Sequence, residues 1–110
     1  MKEGQPFAEA IVSDVSRGWD ADKLISKADA SMLKDHPESE IRKMIAECAK
    51  TFGPVREQHL LAGEITVAGA PEGSVLYIFA VKGDRLSARI RIALIKRGDD
   101  WRVIGFWLQS

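Results

Sequence analysis

Few groups in this 110-residue chain are equipped for chemistry: two histidines, one cysteine, and charged residues in which 16 Lys and Arg balance 16 Asp and Glu. A histidine works as a general base only where a neighbouring group orients it or opposes the charge it gains. His59 shares the parity of Leu61, Ile65 and Val67 in an alternating stretch, so the alternation turns it inward. His36 sits in a connector before Pro37. Neither has a carboxylate partner fixed by spacing, and both fit ordinary surface or satisfied histidines as well. Glu64 depends on register. With Ile65 and Val67 facing the core, it lies on the outer face and could neutralise an arginine across the sheet. A tight turn within Gly69 to Gly73 would reverse the parity and put a carboxylate inside. The apolar pattern favours the first arrangement, because the slip buries an acid and exposes β-branched residues.

Cys48 falls at helical spacing with Ile41, Ile45 and Phe52, which makes it a small buried core residue; a reactive thiol would need a cationic, exposed setting. Arg89 and Arg91 stand on one strand face, with Ile104, Phe106 and Leu108 expected on the same face of the next strand. That combination could bind an anion between hydrophobic walls, a fatty-acid or phosphate group for example. The arginine stems could equally lie over apolar surface with their heads in water or on a partner carboxylate. Arg97-Gly98-Asp99 matches an integrin-type tripeptide by letter only, and turn chemistry accounts for it. The sequence holds no metal-ligand cluster, phosphate-binding glycine loop or nucleophile elbow, so no cofactor is expected.

The balanced charge gives no net field toward a nucleic-acid backbone or an anionic membrane. The longest apolar run, Val75 to Val81, falls far short of the ~20 residues of a membrane helix, so no transmembrane segment is expected. The N-terminal MKEGQPF has no apolar segment of signal-peptide type. That leaves a cytoplasmic protein or an exported one whose leader has been removed. A lone cysteine is silent on compartment.

Positioning these residues falls to a single α+β domain. A first helix is predicted over Pro6 to Arg17, from Phe7, Ile11 and Val15, with Gly18 as the left-handed residue after it and Trp19 folding back. A short helix follows from Ala21 to about Ala28, capped by Asp20, and then a connector carrying Met32 and Leu33. The third helix runs from Pro37 to Phe52, with Glu38 and Glu40 in its first turn and Gly53-Pro54 as its stop. Beyond it the period changes to two. Strands are predicted over Val55 to Ala68, Ser74 to Lys82, Arg85 to Arg97 and Trp101 to Gln109, an antiparallel meander with two-residue turns at Gly83 and Gly98.

With that register, one face carries Val75, Tyr77, Phe79, Val81, Leu86, Ala88, Ile90, Ile92, Leu94, Val103 and Trp107 and meets the helices. The other mixes Leu76, Ile78, Ala80, Ala93, Ile95, Ile104, Phe106 and Leu108 with Arg89, Arg91 and Arg102. It is too apolar for a solvated face, and its simplest cover is the same face of a second copy about a two-fold axis. Strands this long must bend, so the sheet wraps the helices as a half-open cone whose mouth is a natural pocket.

Trp19 after the first helix, Phe52-Gly53-Pro54-Val55, and the run from Leu94 through Gly98-Asp99-Asp100-Trp101 to Phe106 give the chain its likeness. It resembles the nuclear transport factor two-like superfamily, also called cystatin-like: three N-terminal helices in the concave face of a strongly curved four-stranded meander. More narrowly, it is similar to small bacterial members of unknown function, often exported or lipid-anchored. The resemblance implies either a dimeric binding module or an isomerase or dehydratase of ketosteroid-isomerase type, with an acid-base residue in the cone. The missing acid-base pair favours a non-enzymatic homodimer whose cone holds a small apolar ligand, lined by Tyr77, Trp107, Trp19 and His59.

Overall fold

A computed structural model describes residues 4–66 and 73–109, apart from the side chain of Glu64. The expected strand end at Val67 and Ala68, and the loop through Pro71, lie outside the described residues. Four helices precede the sheet: α1 (Gly4–Ser16), α2 (Ala21–Lys27), α3 (Ala30–Asp35) and α4 (Glu38–Phe52). The strands are β1 (Val55–Ile65), β2 (Ser74–Gly83), β3 (Ser87–Arg97) and β4 (Asp100–Gln109), hydrogen-bonded antiparallel in chain order.

The added helix, α3, occupies the expected connector. Asp29 nucleates it by accepting a hydrogen bond from the Ser31 backbone N–H at 3.2 Å and another from the Ser31 hydroxyl at 2.7 Å. No apolar period announces a helix this short; only its cap does. Asp20 caps α2 in the same way, through the Asp22 N–H at 3.0 Å. The left-handed residue after α1 is Trp19, with φ 49°, and not Gly18. A non-glycine residue holds that conformation only when its surroundings fix it. Here the indole Nε1–H donates to the Gly53 carbonyl at 2.6 Å, and the ring stacks at a tilt on Phe52, centroids 6.3 Å apart.

Gly53, with φ 70°, ends α4 and turns the chain toward β1. The helix end docks on the loop between β2 and β3: the Phe52 carbonyl accepts from the Arg85 N–H at 3.1 Å, and Arg85 Nη1 reaches the Lys50 carbonyl at 2.6 Å. Gly83 makes this possible, since a Cβ there would lie 2.3 Å from the Phe52 carbonyl oxygen.

The core lies between the helices and one sheet face. Ile11, Val12 and Val15 of α1, Leu24 of α2, and Ile41, Ile45 and Phe52 of α4 pack on Tyr77, Phe79, Val81, Ile90, Ile92, Leu94 and Val103. Burying each of the large ones contributes roughly 1.5–3 kcal/mol. Cys48 joins this cluster, and burial pushes its thiol pKa up, helped by Glu47. Asp29 ties the helical layer to the far hairpin. Its carboxylate takes both Nε and Nη2 of Arg97 at 3.2 Å, and its backbone N–H donates to the Val103 carbonyl at 2.7 Å.

The hairpin between β3 and β4 turns tightly through Gly98, with φ 63°, and pairs Arg97 with Asp100 as expected. The loop between β2 and β3 is longer than expected, pairing Lys82 with Ser87. Its two additional residues preserve the parity of both strands but move Leu86 out of the core, to 50 % exposure.

Candidate functional site

One irregularity in β4 decides which aromatic residue faces which way. Leu94 pairs with Val103 but Ala93 pairs with Gly105, so Ile104 is the additional residue of a β-bulge. Beyond it every side chain changes face. Phe106, opposite Ile92, and Leu108, opposite Ile90, turn into the helix-facing core. Trp107, opposite Arg91, turns out. The expectation that Trp107 is a core wall and that Phe106 and Leu108 lie on the outer face is therefore reversed, because it assumed an unbroken alternation.

Trp107 is 48 % exposed, and its indole lies across Gly105, where a Cβ would stand 2.1 Å from the ring. A glycine inside a strand is the sequence signal of such a bulge and close approach. That signal at Gly105 marks the site better than any titratable residue does.

Strand β1 is irregular too, with register shifts between Val55 and Glu57, Leu60 and Ala62, and Ala62 and Ile65. Leu60 opposite Phe79 points inward, while His59 opposite Ala80 lies exposed on the outer face. The inward placement expected for His59 is thus corrected. Ile65 pairs with Leu76 and shares its outer side, the reverse of the expected parity. The face of the Glu64 carboxylate lies outside the described residues.

The remaining candidates separate. Tyr77 is 1 % exposed inside the cone, its ring taking up space left by two glycines: a Cβ on Gly4 would be 3.0 Å from its Oη, and one on Gly63 3.0 Å from its Cδ1. The expected lining of the cone pocket is therefore not gathered in one place: Tyr77 and Trp19 are packed in the core, and Trp107 and His59 are outside it. His36 is exposed at the start of α4, with its Nδ1 3.1 Å from Glu40 Oε1. His59 borders an open groove with Glu57, Lys82 and Arg89 at the other end of the outer face.

What the outer face does bring together is a cleft of about 370 Å³ lined by Ile65, Leu76, Ala93, Ile104 and Trp107, with Arg91 at its wall. Ser74 and Gln109 also border it, and Arg91 is the one charged residue among the described lining. Arg91 Nε is buried and finds no acceptor among the described residues. Arg89 and Arg102 share the face; Arg102 Nη1 donates to the Ser26 carbonyl at 3.3 Å. No group of three or more His, Cys, Asp or Glu residues suited to a metal occurs among the described residues. No helix among them is long and apolar enough to cross a membrane.

No family model and no curated protein matches the chain. Solved structures do. A designed nuclear transport factor two-like protein superposes with a TM-score of 0.66 at 14% identity, covering 98% of this chain and 99% of that one. The intermembrane space region of chloroplast protein ARC6 superposes with a TM-score of 0.58 at 14% identity, covering 96% and 95%. At that identity the likeness concerns architecture, and the observed order of helices followed by an open antiparallel meander agrees with it: the chain has the nuclear transport factor two-like fold.

Proposed function

We propose that this chain is a non-enzymatic binding domain that pairs through its outer sheet face with the same face of a second copy. The observation that carries the reading is the half-exposed Trp107, which stands with the partly exposed Ile78 and Ile104 over a floor of Leu76, Ala93 and Ile95 that the chain itself already buries. A face of this composition is suited to a further layer, and a two-fold axis supplies one from an identical chain.

Of the two places for a ligand, the cone interior and the outer face, the geometry favours the outer face, because Tyr77 fills the space left by Gly4 and Gly63. An isomerase or dehydratase would use Glu64 or His59 in the cone; that alternative draws no support from His59, which is exposed, and the Glu64 side chain lies outside the described residues.

Sedimentation velocity at tens of micromolar tests the pairing. The expected result is a dimer for the native chain and a monomer for Trp107→Glu, with the far-ultraviolet dichroism of both unchanged. A native chain that sediments as a monomer refutes it.

A further inference from the structure

We propose that the outer-face cleft is a binding site for a small amphiphilic anion, with an alkyl chain lying on Ile65, Leu76, Ala93, Ile104 and Trp107 and the charged head on Arg91. The cleft, about 370 Å³, falls within the range of small-molecule sites, which are mostly apolar with a few placed polar groups. Here the described placed charge is a single guanidinium. Its immediate neighbours on that face are Ile78 and Trp107 across the strands and Arg89 and Ala93 along its own, and none of them carries a carboxylate. Among the described residues the buried Nε–H has no acceptor, and an anionic head brought against the guanidinium would offset that cost.

The head would be planar or tetrahedral, since the guanidinium fork meets carboxylate and phosphate alike. Arg89, two residues along the same strand face, adds a weaker attraction for an anion, although the chain as a whole is neutral. The half-exposed indole of Trp107, held flat over Gly105, gives the chain a broad apolar wall. The described lining residues all come from one chain, so the inference goes beyond the pairing of two copies and does not require it; because they lie on the face proposed to pair, a bound amphiphile would compete with the second copy and shift the chain toward monomer.

The test titrates the full chain with decanoate, decyl phosphate and decanol, and with acetate and inorganic phosphate as heads without tails. It is followed by calorimetry and by the indole N–H resonance that Trp107→Phe removes. The expected result is saturable one-to-one binding of at least one charged amphiphile with a shift of the Trp107 resonance. Decanol should bind about tenfold more weakly, the lower end of what a hydrogen bond to a charged group contributes. The heads alone should not bind. The comparison of decanoate with decyl phosphate tells a carboxylate site from a phosphate site. Arg91→Met should abolish the preference over decanol, and Arg91→Lys should keep part of it.

Binding of decanol as tight as that of both decanoate and decyl phosphate, or no saturable binding at all, overturns the proposal. So does an Arg91→Met variant of native dichroism that binds as the native chain does. Should Arg91→Met not fold, Ala93→Leu narrows the cleft and leaves the arginine in place; undiminished binding by that variant overturns the location. Sedimentation of the same samples before any amphiphile is added reads the pairing separately, so failure of either reading is distinguishable from failure of the other.

Discussion

Asp29→Asn removes the negative charge that joins the helical layer to the last hairpin while leaving a side-chain oxygen for Ser31. The Arg97 guanidinium, followed by the Ser31 hydroxyl, holds the Asp29 carboxyl at about 2, against 3.8 for a free one. A shift of that size corresponds to roughly 2 kcal/mol at neutral pH. Arg97 is half exposed, its side chain at 55%, so solvent screening brings the expected loss to about 1–2 kcal/mol. For a domain of this length that lowers Tm by about 5–10 °C.

The pH dependence has a definite sign. Above 3.8 the carboxylate is ionised in both folded and unfolded chains and its contribution is complete. As pH falls from 3.8 toward about 2, the unfolded chain takes the proton first and the contribution drains away. Urea melts of the native chain and Asp29→Asn at neutral pH and through this acid window measure both effects. The difference between the two proteins should be largest at neutral pH and should close in acid. A double-mutant cycle with Arg97→Gln assigns it to the pair. A constant difference at all pH values, or no coupling in the cycle, refutes the reasoning.

Two glycine variants probe close approaches, one beneath Trp107 in the cleft and one where α4 docks on the loop between β2 and β3. Gly105→Ala puts a Cβ where the Trp107 ring lies, so the ring must swing away; about 1–2 kcal/mol of stability should be lost, and the Trp107 indole N–H resonance should move, the latter being what a merely local strain would not do. Gly83→Ala meets the Phe52 carbonyl oxygen at 2.3 Å and the Leu86 carbonyl oxygen at 3.1 Å, both backbone atoms that cannot rotate aside. Thermal melts should show it to be the costlier change, about 2–3 kcal/mol, and parity of the two variants would argue against a close approach of α4 to the loop.

The order of elements was legible in the sequence because its signals are local. Pro37, Glu38 and Glu40 begin a helix and Gly53-Pro54 ends it whatever packs nearby, and the structure places α4 over Glu38–Phe52. The turn at Gly98 was equally local. The helix at Ala30–Asp35 was not legible from period, since six residues are too few to show one, and only Asp29 as a cap marked it. The Asp29–Arg97 pair joins residues far apart in the chain, and no spacing rule could have brought them together.

Which side of the sheet each residue faces was only partly written in the alternation. Parity carries along a strand until one unpaired residue interrupts it, and then it inverts for everything beyond. The sequence by itself determined that β3 has one apolar wall and one arginine-bearing face, and the structure agrees from Ala88 to Leu94. Only the tertiary structure decided that the bulge at Ile104 sends Phe106 and Leu108 into the core and Trp107 out beside Arg91. The bulge is favoured because it satisfies two distant demands at once: Phe106 and Leu108 meet the helices in place of Trp107 alone, and Gly105 leaves room for the indole. The local pattern records neither demand, so the cleft became visible only when the strands were laid side by side.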